Sequence, residues 1–196
     1  MNIDKIFTQM QKFASTDTLR PSLNGIYCER MEYKTLITAT DGTKLLTYSF
    51  SNDFFESIFK DEFGIEPTKE SFILYQDKKT RKNLNVSLMD TKEIYPRYKN
   101  IIPESYNLIP RNQVDFPIFF NPKLIAKVQS DLNSLLDTPK DVLIMDYFTT
   151  SKGATVKYLD SVSDFCHGGI LVLMPINPHH KGYPIKPIAT DFCLYE

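Results

Sequence analysis

"TLITATDGTKLLTYSF", residues 35–50, is the stretch on which the fold turns. Two runs rich in β-branched and aromatic residues flank Asp41-Gly42. Asp-Gly is a strong hairpin signal, because glycine accepts the positive φ that a tight turn between twisted strands requires. Asp41 has a sufficient local role there, bonding the turn's own backbone. The alternative, a general base, finds no convincingly paired carboxylate in the sequence.

Working outward, "LNGIYCER" reads as a strand and "YKTLITAT" as its neighbour, with "KLLTYSF" completing a three-strand run. Before them, residues 3–14 place Ile3, Ile6, Phe7, Met10, Phe13 and Ala14 on one helical stripe. The opposite face carries Lys5, Thr8, Gln9 and Lys12. Asn52 suits the cap of a short helix that turns Phe54, Phe55, Ile58 and Phe59 inward and stops at Gly64. "SFILYQD" and "KTRKNLNVSLMD" read as a strand pair around a basic turn, either a solvated hairpin tip or a phosphate contact.

Residues 93–115, rich in Pro, Asn and Tyr, read as a connector pinned to a surface by its aromatic residues. "FPIFF" resumes as a strand. "NPKLIAKVQSDLNSLL" is the clearest helix, with Asn121 as cap and Pro122 at the first helical position. Leu124, Ile125, Val128, Leu132 and Leu135 make its buried stripe; Lys123, Lys127 and Ser130 face outward. "DVLIMDYF", "ATVKYL" and "GGILVLMPI" supply three more strands, so the order of the first half, helix then strands, recurs in the second. The expectation is one α+β domain over 1–196, with helices on one face of antiparallel sheets. Its parts are a first unit at 1–92 with an insertion, the connector, a second unit at 116–176 and an extended tail at 177–196.

The chain has 196 residues and a net charge of -1, which argues against nucleic-acid binding through bulk charge but leaves room for a local basic face. Its three cysteines, Cys28, Cys166 and Cys193, have no paired spacing, so a reducing cytoplasm is expected. The N-terminal stretch lacks the uninterrupted apolar core of a signal peptide, and no run approaches the ~18 apolar residues of a membrane span. There is no nucleophile elbow, phosphate-cradling glycine loop or His-Glu-x-x-His. His167, His179 and His180 with Cys166 and Cys193 match no zinc spacing. No enzyme, metal or cofactor is expected; a hydrolase or metal enzyme built around His167–His180 is the rival.

Two motifs in the first half and three in the second carry a resemblance. Arg20, Pro21, Leu23, Asn24 and Gly25, then Ala39, Thr40, Asp41, Gly42 and Leu45, resemble the Arg-Pro-x-Leu-Asn-Gly and Ala-Thr-Asp-Gly-His-Arg-Leu motifs of bacterial sliding clamps, the β subunit of the replicative DNA polymerase. "YPRYKNIIP" is similar to that family's Tyr-Pro-Asp-Tyr-Arg-Arg-Val-Leu-Pro connector. "FNPKLIAKV" resembles its helix start, and "LVLMPI" its Val-Met-Pro-Met segment.

The resemblance implies a DNA-clamp-like fold and a non-catalytic processivity or partner-tethering factor. Carried over, the family's hydrophobic peptide groove falls on Thr40, Gly42, Thr43, Lys44, Leu45, Pro96, Asn100, Ile101, Leu173, Met174, Pro175 and Ile176. The DNA-facing set falls on Lys5, Gln9, Lys12, Arg20, Lys123 and Lys127. Implied partners are the backbone of double-stranded DNA, clamp-motif peptides of a polymerase or other protein, and further copies of the chain closing a ring. A monomeric adaptor or competitor that keeps the groove without encircling DNA is the alternative. The family's Arg-Arg in the connector is Lys99-Asn100 here, which alters the charge of the implied groove.

Overall fold

In the computed structural model the described residues are 3–63, 71–76, 84–87, 95–100, 102, 108–110, 122–135, 148–150, 155–159 and 166–174. Period-two alternation in the chain's strands builds one sheet with a different apolar set on each face. The strands are β1 (Ile26–Arg30), β2 (Lys34–Thr40), β3 (Lys44–Ser51), β4 (Ser71–Gln76), β5 (Leu84–Ser87), β6 (Leu108–Pro110), β7 (Phe148–Thr150), β8 (Thr155–Leu159) and β9 (Cys166–Leu173). They lie in the order β5-β4-β1-β2-β3-β9-β8-β7-β6, with each neighbouring pair antiparallel.

Helices α1 (Ile3–Gln11), α2 (Asn52–Phe63) and α3 (Pro122–Leu135) cover one face. Under them Ile26, Cys28, Ile37, Leu46, Tyr48, Phe50, Phe72, Leu171 and Leu173 meet Ile6, Phe7, Met10, Phe13, Phe55, Val128 and Leu132 in a continuous core. Full burial of such side chains is worth about 1.5–3 kcal/mol each. The fold is thus α+β, a single antiparallel sheet with helices on one side.

The halves share an arrangement. α1 precedes the meander β1–β3 and α3 precedes the meander β7–β9; the last strands of the two meanders pair with each other. α1 and α3 pack in opposite directions, since Gln9 Nε2 donates to Ser134 Oγ at 2.8 Å while Lys12 Nζ lies 3.7 Å from Asp131 Oδ1. The β3–β9 ladder runs in register from Lys44↔Leu173 to Tyr48↔Gly169 and then shifts before Phe50↔Cys166. Gly168, at φ +97°, takes up that irregularity.

Some local readings change. Pro21–Asn24 forms a short 3-10 turn, so the first strand begins at Ile26 rather than Leu23. Leu108–Pro110, read as connector because of its proline, is the outermost strand; an edge strand tolerates the missing N–H. Asn52 sits in α2, and its side chain bonds the β1–β2 turn, donating to Met31 O at 2.9 Å and Glu32 O at 3.1 Å. Gly64, "FPIFF", residues 141–147 and the tail at 177–196 lie outside the described residues.

Candidate peptide groove

The face away from the helices carries a second, smaller apolar cluster: Leu23, Tyr27, Leu45, Ile73, Tyr95, Tyr98 and Val172, with Tyr75, Ile102 and Ile170 half-buried beside it. Tyr95 and Tyr98 come from the connector and lie on the sheet as the sequence predicts. Tyr95 stacks on Tyr27 with centroids 4.5 Å apart, and Tyr98 meets Tyr27 edge-on at 5.8 Å. Tyr95 donates its hydroxyl to Thr38 O at 3.3 Å, and Tyr98 donates to Glu29 Oε2 at 2.6 Å. Burial pushes both phenols well above their usual range; at Tyr98 the Glu29 carboxylate adds to the effect. Both rings therefore act as neutral, fixed donors.

The Asp-Gly turn closes one end of this cluster. Asp41 Oδ1 accepts from Thr43 N at 2.8 Å, Thr43 Oγ1 at 2.7 Å and Lys44 N at 3.1 Å, so Asp41 bonds its own turn. Thr40 Oγ1 donates to Lys44 O at 2.7 Å and accepts from Gly42 N at 3.1 Å. Gly42 has φ +91°, a value an L side chain rarely adopts. Thr43 O accepts from Met174 N at 2.9 Å, which ties the turn to the end of β9. Leu45 is buried beside it, and Met174 is 36% exposed.

Of the expected groove residues, the structure gathers Thr40, Gly42, Thr43, Leu45 and Met174 at this end. It places Pro96 and Asn100, both exposed, along a pocket of 280 Å³ beside Tyr27 and Tyr98. Two point the other way. Leu173 enters the helix-side core, and Lys44, only 2% exposed, sets Nζ over the Phe13 ring and donates from it to Lys12 O at 2.7 Å. In a strand, neighbours alternate faces, so Leu45 and Val172 occupy the groove side that a contiguous motif assigns to all. Ile101, Pro175 and Ile176 lie outside the described residues. Val172, Tyr27, Tyr95 and Tyr98 join the cluster on this face without belonging to the expected set; the alternation "ILVLM", with Val172 and Met174 on one parity, is the sequence signal for the first.

The helix side is mixed in charge. Lys12, Lys123 and Lys127 are exposed, whereas Gln9, expected outward, is buried and bonded to Ser134 across the α1–α3 seam. A second helix packed on that flank explains the difference. Asp131, on α3, partly offsets Lys12. Arg20 lies off the helix face, bonding Asp17 Oδ2 through Nε at 3.0 Å and extending Nη1 over Gly42. The side chain of Lys5 is outside the described residues, as are His179, His180 and Cys193. Among the described residues no cluster of three or more His, Cys, Asp or Glu could hold a metal, and no helix is long and apolar enough to cross a membrane.

No protein-family model and no curated protein matches the chain. Among solved structures it is weakly similar to the crystal structure of the DNA polymerase III subunit beta from Pseudomonas aeruginosa. The match has 12% identity, covers 89% of this chain and has a TM-score of 0.43. The chain spans 64% of that protein's length. No residue role is carried over from a likeness of this kind.

Proposed function

We propose that this protein is a non-catalytic, clamp-like tethering factor whose groove, on the sheet face away from the helices, holds short peptides of replication partners. The observation that supports it best is the meeting of three separated motifs at one place. The Asp-Gly turn is bonded to Met174 through Thr43, with Leu45 and Val172 beneath and the Tyr95–Asn100 connector alongside. An apolar floor, a half-exposed methionine and a few rim hydrogen-bonding groups suit a peptide anchor. On this reading residues 1–196 act as one domain. The helices face the backbone of double-stranded DNA, and self-association closes a ring.

The test uses fluorescence anisotropy with a labelled clamp-motif peptide. Binding by the wild-type chain, lost on Met174→Asp with the circular dichroism spectrum unchanged, supports the groove. Unaltered affinity in Met174→Asp and in Leu45→Asp would remove it. The Lys12–Asp131 pair and the burial of Gln9 leave the helix face only mildly basic, which favours a second reading. In that reading the same groove serves a monomeric adaptor that does not circle DNA.

A further inference from the structure

The carboxylates around the groove are consumed by their own neighbours. Asp17 accepts from Leu19 N at 2.9 Å and from Arg20 Nε at 3.0 Å. Glu29 takes the Tyr98 hydroxyl at 2.6 Å on one oxygen and Lys99 Nζ at 2.9 Å on the other. Asp41 spends Oδ1 on three donors of its turn. Arg97 is in a different state. Arg97 is exposed and has no carboxylate partner among the described residues, and Arg20 leaves Nη1 over Gly42 after bonding Asp17 through Nε. The 280 Å³ pocket is lined by Tyr27 and Glu29 on β1 and by the connector from Tyr95 to Asn100, Arg97 and Lys99 included. Glu29 and Lys99 neutralise each other at this pocket, which leaves Arg97 as its unpaired charge among the described residues.

We infer that the groove selects peptides carrying acidic residues beside the apolar anchor, and that Arg97 sets this preference. The inference rests on the peptide-groove reading above and deepens it by naming the partner's chemistry. An arginine beside an apolar floor reads a carboxylate through a charge-assisted, two-point hydrogen bond, while buried tyrosine rings receive the anchor. An unpaired cation at one rim position favours acidic partners and disfavours basic ones.

Two labelled peptides would be compared on the full chain by fluorescence anisotropy, sharing one Leu-Phe anchor and differing only in an Asp-rich or Asn-rich flank. The Asp-rich peptide should bind about three- to tenfold more tightly at low salt, with the gap narrowing as salt screens the contact. Arg97→Glu should invert the order, and Arg97→Lys should keep most of it. Equal affinities in the wild type, or an order unchanged in Arg97→Glu, would overturn the selectivity while leaving the groove, provided Leu45→Asp still abolishes binding of both peptides. Failure of the wild type to bind either peptide would overturn the groove reading and this inference together.

Discussion

Lys44 shows how one residue's parity in a strand decides its chemistry. It follows the Asp-Gly turn yet projects under the helices, with Nζ over Phe13, bonded to Lys12 O and 3.7 Å from Asp41 Oδ2. Burial lowers its pKa below the usual lysine value; Asp41 and Asp131 act against this and Lys127 adds to it. With the folded pKa below the unfolded one, the charged amine costs stability at neutral pH. Between those two pKa values the unfolded chain binds more protons, so this site's contribution rises with pH and is complete above the unfolded value. Urea unfolding at about pH 7.5 and about pH 10 should therefore show wild type gaining on Lys44→Met at the higher pH. Parallel profiles for the two proteins would mean that Lys44 titrates alike in both states.

Among the elements, the β3–β9 ladder carries the most consequence, because it joins the two meanders into one sheet. Gly169 stands opposite Tyr48 there. A Cβ at Gly169 would meet Thr47 O at 2.6 Å and the Tyr48 ring at 2.8 Å, contacts that backbone and a fully buried ring cannot easily yield. Gly169→Ala should cost about 2–3 kcal/mol, read as a lower urea midpoint with unchanged slope. A loss no larger than that of an exposed alanine substitution would mean the seam relaxes around the extra methyl. α1 and α3 brace the same joint from above, through Phe7, Met10, Val128 and Leu132.

At the scale of the whole molecule, one sheet separates two surfaces with different chemistry: a helix-covered side with mixed charge and an aromatic side whose pocket is edged by Arg97. If the chain closes a ring, light scattering over a concentration series should give a discrete cyclic oligomer. Lys123→Glu combined with Lys127→Glu should then lower its retention on closed circular DNA and weaken the salt dependence of binding. A monomer at every concentration would leave the adaptor reading in place and dismiss encirclement.

Much of the local structure was legible because it rests on local chemistry. The Asp41-Gly42 turn follows from backbone geometry, α1 and α3 from periodic apolar stripes, and the docking of Tyr95 and Tyr98 from a connector that needed anchoring. The β6 edge strand was hidden, since Pro110 reads as a loop until an edge accepts it. The candidate groove was drawn from motifs, which carry no orientation: Lys44 and Leu173 belong to the expected set in sequence and face the helix side in space. What the sequence by itself determined was which segments become helix, strand or turn, because propensity and periodicity act over a few residues. Only the tertiary structure decided that β3 pairs with β9, that Gln9 meets Ser134 across 125 residues, and which side chains face the groove. Those outcomes depend on long-range burial and on each strand's parity relative to the helices, which no local pattern encodes.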